Sequence, residues 1–307
     1  MRALITGGGG FIGSNLTRGL LAAGHEVRVL DNFSTGRREN LVEIKGDIEL
    51  MEGDIQSAGQ VTDAVQGIDV VFHQAALPSV PRSISDPVTS STVNVNGTLN
   101  VLVAARDAGV TRTVFASSSS VYGANPALPK EEQMATLPMS PYAVSKLAAE
   151  GYCRAFTNVY GMETVALRYF NVFGPLQDPT SQYAAVLPNF ITAALEDRQP
   201  TIFGDGEQSR DFTFIENVVS ANILAATAPD ASGRTCNVAC GKAVKLNEVI
   251  DLIAELTGKT IEANYEDART GDIRNSLADI TAASEVLGYQ PLVDFREGLS
   301  RTIDHFR

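Results

Sequence analysis

Short apolar runs rich in β-branched residues recur along the first half of the chain, at 3–6, 27–31, 69–73, 113–117 and 164–167. Each is too short for a helix and lacks an alternating polar face, so each reads as a strand buried on both sides. Between them, residues 11–23, 87–108 and 141–160 carry apolar positions at helical spacing. Alternating strand and helix predict an α/β fold, a doubly wound parallel sheet covered on both faces. After about residue 174 the rhythm breaks. Helices are predicted at 185–195, 218–226, 246–256 and 297–306, mixed with isolated short strands such as 236–239. No linker rich in Gly, Ser or Pro separates the halves. The pattern therefore predicts a first domain over 1–174 and a smaller mixed α/β lobe over 175–307, with the chain crossing between them where needed.

Composition narrows the function. The 307 residues, 44% of them hydrophobic, can bury a full core without disulfides or metals. A net charge of −12 repels phosphate backbones, which argues against a nucleic-acid partner. Three cysteines are an odd count, and Cys236 and Cys240 with three histidines make no zinc set; they read as small buried apolar residues. The longest uncharged stretch, 87–105, is full of Ser, Thr and Asn and cannot span a bilayer. With no leader-like run before the first strand, the expectation is a cytoplasmic protein that does not bind membranes.

Two constellations carry chemistry. Gly7, Gly10 and Gly13 lie between the first strand and the helix beginning at Phe11 and Ile12. A glycine at the turn, one facing a pyrophosphate and one at the helix–strand contact are what a dinucleotide site needs, and the helix N-terminus adds N–H donors. Asp31 ends the next strand, where a carboxylate accepts hydrogen bonds from an adenosine ribose. It favours NAD over NADP, while Arg37 and Arg38 read as solvated loop charges. Asp54 and Ile55 are placed to contact adenine, and the small side chains of Ala75 and Ala76 let backbone approach the cofactor. The second constellation is Tyr142 and Lys146, at i and i+4 on one helix face. A free tyrosine titrates near ~10; a neighbouring ammonium stabilises phenolate and turns the ring into a usable base. The run Ser117-Ser118-Ser119-Ser120 follows a strand, so hydroxyls stand where doubly wound sheets bind ligands. Spacing alone leaves open which serine orients a substrate.

These residues, with Asn32, Arg168-Tyr169-Phe170-Asn171-Val172-Phe173-Gly174-Pro175, Gly204-Asp205-Gly206 and Arg210-Asp211-Phe212, resemble the extended short-chain dehydrogenase/reductase family in its nucleotide-sugar branch. The resemblance spans the chain and implies a Rossmann-type sheet with NAD as cofactor. Within the branch it is nearest to UDP-hexose 4-epimerases, above all those acting on N-acetylated sugars, through the runs 74–83 and Gln177-Asp178-Pro179 with Tyr183-Ala184-Ala185-Val186. It implies that Ser118 is the catalytic serine, that Asn94 and Tyr169 help hold the cofactor, and that Asn171, Arg210 and Arg269 hold the substrate. Ser276 takes a position that borders the hexose, where epimerases limited to plain sugars carry Tyr. A UDP-sugar brings a diphosphate, and two arginines are its natural anchors in an acidic protein.

Related dehydratases carry an Asp-Glu pair after the catalytic hydroxyl, and related decarboxylases a Glu. Here those positions are Ser119 and Ser120, hydroxyls that cannot replace a carboxylate. That leaves 4-epimerisation as the expected reaction, ahead of dehydratase or decarboxylase chemistry and of a non-catalytic NAD-binding regulator, which would not need Tyr142 and Lys146. Family members often dimerise through two helices per subunit, here 87–108 and 141–160, so a homodimer is expected.

Overall fold

The computed structural model describes residues 1–179, 186–268 and 273–307. The first half runs β1 (Arg2–Thr6), α1 (Phe11–Ala22), β2 (Glu26–Asp31), β3 (Ile48–Glu52), α2 (Ala58–Ala64), β4 (Val70–His73), α3 (Val80–Ser85), α4 (Pro87–Ser91), α5 (Gly97–Asp107), β5 (Arg112–Ser118), α6 (Pro141–Tyr160) and β6 (Glu163–Tyr169). The second half runs β7 (Val172–Phe173), α7 (Val186–Leu195), β8 (Thr201–Phe203), β9 (Ser209–Asp211), β10 (Thr213–Phe214), α8 (Ile215–Thr227), β11 (Thr235–Val238), β12 (Ala243–Lys245), α9 (Leu246–Thr257), β13 (Asn264–Glu266), α10 (Thr281–Leu287) and α11 (Phe295–Phe306).

Seven parallel strands form the central sheet in the order β11-β6-β5-β4-β1-β2-β3. Side chains alternate between two cores. Ala3, Ile5, Val27, Val29, Val114, Val165 and Leu167 face one; Leu4, Leu30, Phe115 and Ala166 face the other. This period of two, apolar on both sides, is why the strands lack a polar face in sequence. The second core lies under α2, α5 and α6. The first continues without a break from the sheet into Leu187, Phe190, Ile202, Ile250 and Leu299, so the later lobe shares its core with the sheet.

The structure corrects two expectations. Residues 236–239 are not an isolated strand: β11 pairs with β6 as the seventh strand, Cys236 opposite Leu167, and so returns to the first half. Residues 87–108 are not one regular helix: a π turn over Thr92–Asn96 sits between α4 and α5. It turns Asn94, 2% exposed, inward, where its side chain accepts from the Leu77 N–H at 2.8 Å and donates to Ser145 Oγ at 3.0 Å. Single π turns of this kind recur at functional sites. The expected helix start at Ala185, and Tyr183 and Ala184 before it, lie outside the described residues. No helix among the described residues is long and apolar enough to cross a membrane.

Candidate active site

Strand order reverses between β1 and β4, and the loops leaving their carboxyl ends part to form a crevice. One wall is the glycine loop. Gly7 has φ +75, and a Cβ on it would stand 2.7 Å from the Ala75 backbone; a Cβ on Gly13 would stand 2.1 Å from the Gly7 carbonyl oxygen. Both positions therefore admit only glycine. Gly10 heads α1 with no side-chain cap, so the first N–H groups of the helix face the crevice. The cavity, about 580 Å³, is bordered by Gly7, Gly10, Phe11, Ile12, Gly13, Asp31, Asn32, Asp54, Ile55, Ala75, Ala76, Tyr142, Lys146 and Tyr169. Most of the expected cofactor residues thus converge. A cavity of this size, lined at one end by side-chain-free glycines and the N-terminus of α1 and by a carboxylate beyond them, fits a dinucleotide. Asn94 lies behind the wall, bracing Leu77.

Asp31 is engaged before any ligand arrives: Oδ2 accepts from Gly9 N–H (2.8 Å) and Oδ1 from Phe33 N–H (2.7 Å). Burial raises its pKa, opposed by those two bonds. Asn32 donates to Asp54 Oδ2 at 2.8 Å. Arg38 pairs with Glu52 over the Phe33 ring. Arg37, expected as a solvated loop charge, instead borders the cavity and pairs with Asp178 at 2.8 Å.

The other end of the crevice is built by β5 and α6. Ser140 caps α6 by accepting from Ala143 N–H, with Pro141 in the first turn, so Tyr142 enters the cavity from the helix start. Burial raises its pKa, and a hydrogen bond from Ser118 pulls the other way. Ser118 Oγ accepts from both the N–H (3.2 Å) and the hydroxyl (2.9 Å) of Ser120. Both bonds use its lone pairs, which leaves its one proton to donate. The Lys146 ammonium donates to the Ala116 carbonyl at 2.8 Å and stands 6.0 Å from the centre of the Tyr142 ring. Burial pushes Lys146 down to about 8. Among the four serines, Ser117 borders the cavity but spends its hydroxyl on Glu150 of α6, and Ser118 stands just outside the cavity's border.

Beneath the crevice His73 is buried between Thr6 (Nδ1, 2.7 Å) and Thr98 (Nε2, 2.9 Å). Thr98 spends its hydroxyl proton on the Asn94 carbonyl, so Nε2 carries the imidazole proton and Nδ1 accepts from Thr6. Burial holds this histidine neutral, at about 3. Tyr169 bonds through its hydroxyl to Asn222 and Gln74.

A second cavity of about 290 Å³ lies beyond β6, bordered by Asn171, Phe173, Phe190, Phe203, Arg210 and Phe212 among others. The two cavities share a wall: Tyr169 and Leu176–Asp178 border the first, Asn171–Phe173 the second. Asn171 adopts φ +33, a left-handed conformation that asparagine tolerates; its side chain donates to the Asp211 carbonyl. Arg210 donates to the carbonyls of Ser209 and Arg274. The neighbouring Asp211 carboxylate is buried, which pushes it up to about 6 although N–H bonds from Cys240, Gly241 and Ala278 relieve part of that penalty. Ser276 borders neither cavity; its N–H donates to Ser209 next to Arg210. Arg269 lies outside the described residues.

Residues 3–239 match the model of the NAD dependent epimerase/dehydratase family. The chain is 42% identical to the UDP-glucose 4-epimerase of Mycolicibacterium smegmatis, over 100% of this chain and 99% of that one. The solved structure of UDP-N-acetylglucosamine 4-epimerase from Methanobrevibacter ruminantium M1, in complex with UDP-N-acetylmuramic acid, superposes with a TM-score of 0.95 at 40% identity, covering 99% of this chain and 97% of that one. The UDP-N-acetyl-alpha-D-glucosaminuronate decarboxylase of Bacillus cytotoxicus is 33% identical over 100% of this chain and 98% of its own length.

Proposed function

The chain belongs to the NAD dependent epimerase/dehydratase family and is an NAD-dependent UDP-sugar 4-epimerase; from that premise we propose that it interconverts UDP-N-acetylglucosamine and UDP-N-acetylgalactosamine, with UDP-glucose and UDP-galactose as further substrates, through a transient 4-keto sugar. The observation that carries this reading is the meeting of Tyr142 and Lys146 at one end of a crevice whose other end is the glycine loop and Asp31, with Ser118 acting on Tyr142 from the end of β5.

The N–H groups of the loop and of α1 would hold the pyrophosphate of NAD, Asp31 and Asn32 the adenosine ribose, and Lys146 and Tyr169 the nicotinamide half. When bound, NAD supplies reversible hydride acceptance from sugar carbon 4. Tyr142 takes the carbon-4 hydroxyl proton and later returns it, with Ser118 bridging. The Lys146 charge favours the phenolate form of Tyr142. Arg210, which borders the second cavity with Asn171, would anchor the diphosphate while the hexose turns over, and the family resemblance gives Arg269 the same duty. Ser276 borders neither cavity but is tied through its N–H to Ser209 beside Arg210, and its small side chain would leave room at carbon 2 for an N-acetyl group of a sugar held there. A homodimer through α4, α5 and α6 is supported by Val88 on α4 and Val144 and Val159 on α6, 74%, 52% and 70% exposed.

The decarboxylase relative makes decarboxylation the second reading. Against it, the two residues after Ser118 carry hydroxyls, and Ser120 is bonded to Ser118. The test offers UDP-N-acetylglucosamine, UDP-glucose and UDP-glucuronate in parallel to the NAD-loaded protein and identifies the products. The 4-epimers are expected, with no net NADH. A pentose product from the glucuronate, or no turnover of the acetylated sugar, would overturn the proposal.

A further inference from the structure

Glu150 follows Tyr142 and Lys146 at the same interval of four along α6, so the three lie along one side of the helix. Its side chain is 2% exposed, and its partner Arg168 is 3% exposed. Oε1 accepts from Arg168 Nε (2.9 Å) and from Ser117 Oγ (2.5 Å), and Oε2 accepts from Arg168 Nη2 (2.8 Å). Ser117 and Arg168 stand directly opposite each other on β5 and β6, so one carboxylate clamps both strands to the helix. Arg168 is held from behind by the Tyr122 ring at 4.7 Å and by the Glu132 carbonyl.

The clamp is in register with the reacting end of the site. Consecutive residues of β5 serve the helical series: the Ala116 carbonyl takes Lys146 and Ser117 takes Glu150, while Ser118 acts on Tyr142 to oppose the rise in its pKa. A buried ion pair adds little net stability over apolar packing, so its use here is better sought in geometry and charge. We propose that Glu150, locked by Arg168 and Ser117, is a positioning residue that sets the distance between β5 and α6 and balances charge beside Lys146, so that Ser118, Tyr142 and Lys146 meet. This rests on the catalytic reading of Tyr142 and Lys146. The groups facing Lys146 are Tyr142, Glu150 and Cys153 from α6, His73 from β4 and the Phe115 ring from β5, with Arg168 of β6 behind Glu150. Glu150 is an anion among them that favours the charged lysine.

The experiment compares the NAD-loaded full chain as wild type, Glu150→Gln, Ser117→Ala, Ser117→Thr and Tyr142→Phe, with UDP-N-acetylglucosamine as probe. Ser117→Ala should lower kcat about 3- to 10-fold, the equivalent of one ordinary hydrogen bond, with KM within about twofold. Ser117→Thr, which keeps the hydroxyl, should restore it. Glu150→Gln should lower kcat further and move the alkaline limb of the pH profile down by about one unit, as Lys146 loses its neighbouring anion. A role confined to stability would lower the melting temperature and leave both kcat and the limb in place, and that result overturns the proposal. Should Glu150→Gln fail to fold, Ser117→Ala decides: unchanged kcat and limb overturn it. A fully active Tyr142→Phe would instead sink the catalytic reading itself, whatever the other variants do.

Discussion

Replacing Gly13 with alanine separates the dinucleotide cradle from the rest of the fold. The new Cβ would stand 2.1 Å from the Gly7 carbonyl oxygen and 2.8 Å from Gly8 Cα. An ordinary contact needs about 3.5 Å, so the loop must retreat by more than ~1 Å. It has nowhere to go cheaply. Gly7 N–H is bonded to Leu30 (2.8 Å), its carbonyl accepts from Gly10 N–H (3.1 Å), and the Ala75 backbone closes the other side. Overpacking of this kind costs ~1–3 kcal/mol of stability. Cofactor binding should suffer more. An amide displaced by about 1 Å from a phosphate oxygen passes from ~2.9 Å to beyond hydrogen-bond reach, and each bond to a charged group is worth ~1.5–3 kcal/mol. Losing two amides weakens NAD by roughly 100-fold or more. The assay is calorimetric titration of the ligand-free protein with NAD, beside a thermal melt without it. Gly46→Ala is the control, since a Cβ there meets nothing within 4 Å. NAD affinity within about threefold of wild type in Gly13→Ala would refute the reasoning.

Tyr142→Phe keeps the ring and should keep the fold and NAD affinity, while steady-state turnover falls by ~100-fold or more; near wild-type turnover would remove Tyr142 from acid–base duty. His73, held at about 3 by burial against ~6.5 in an unfolded chain, refuses a proton that the unfolded state accepts. Stability should therefore be intact above pH ~6.5 and fall below it by up to ~1.4 kcal/mol per pH unit. Melting curves from pH 7 to pH 4.5 should show this slope, and His73→Asn should flatten it; an equal slope in both proteins would assign acid sensitivity elsewhere. Ser276→Tyr should lower kcat/KM on acetylated UDP-sugars by roughly 5- to 150-fold, the equivalent of ~1–3 kcal/mol of crowding, and affect UDP-glucose much less. An unchanged ratio between the two sugar types would take Ser276 out of the sugar gate.

The strands from β1 and β2 to β4, β5 and β6 were legible because burial on both faces leaves uninterrupted apolar runs, and the longer helices because the amphipathic period survives; the half-exposed edge strand β3 and the short α2 left no such run. What escaped was set by partners rather than by local pattern. Thr235–Val238 looks like any short strand; only the open flank of β6 makes it part of the sheet. The π turn at Thr92–Asn96 adds no periodic signature, and its purpose is visible only once Asn94 meets Leu77 and Ser145. In the candidate site the glycine loop, Asp31, Tyr142 and Lys146 could be read directly because their chemistry depends on side-chain type and spacing. Asp211 could not, since the groups that hold it are backbone N–H donors from distant loops. The serine run carried a usable signal: with β5 extended through Ser118, alternation sends Ser117 and Ser118 to opposite faces.

The late arrival of β11 has a consequence for how the protein is made. During synthesis the flank of β6 that will receive Thr235–Val238 presents unpaired N–H and C=O groups along an apolar strand, while the lobe after it is still being translated. At ~5–20 residues per second this interval lasts several seconds on the ribosome. An open edge of that kind recruits strands from other chains. A product truncated near residue 174 would not be a smaller cofactor-binding protein but an uncapped sheet, prone to join its neighbours edge to edge.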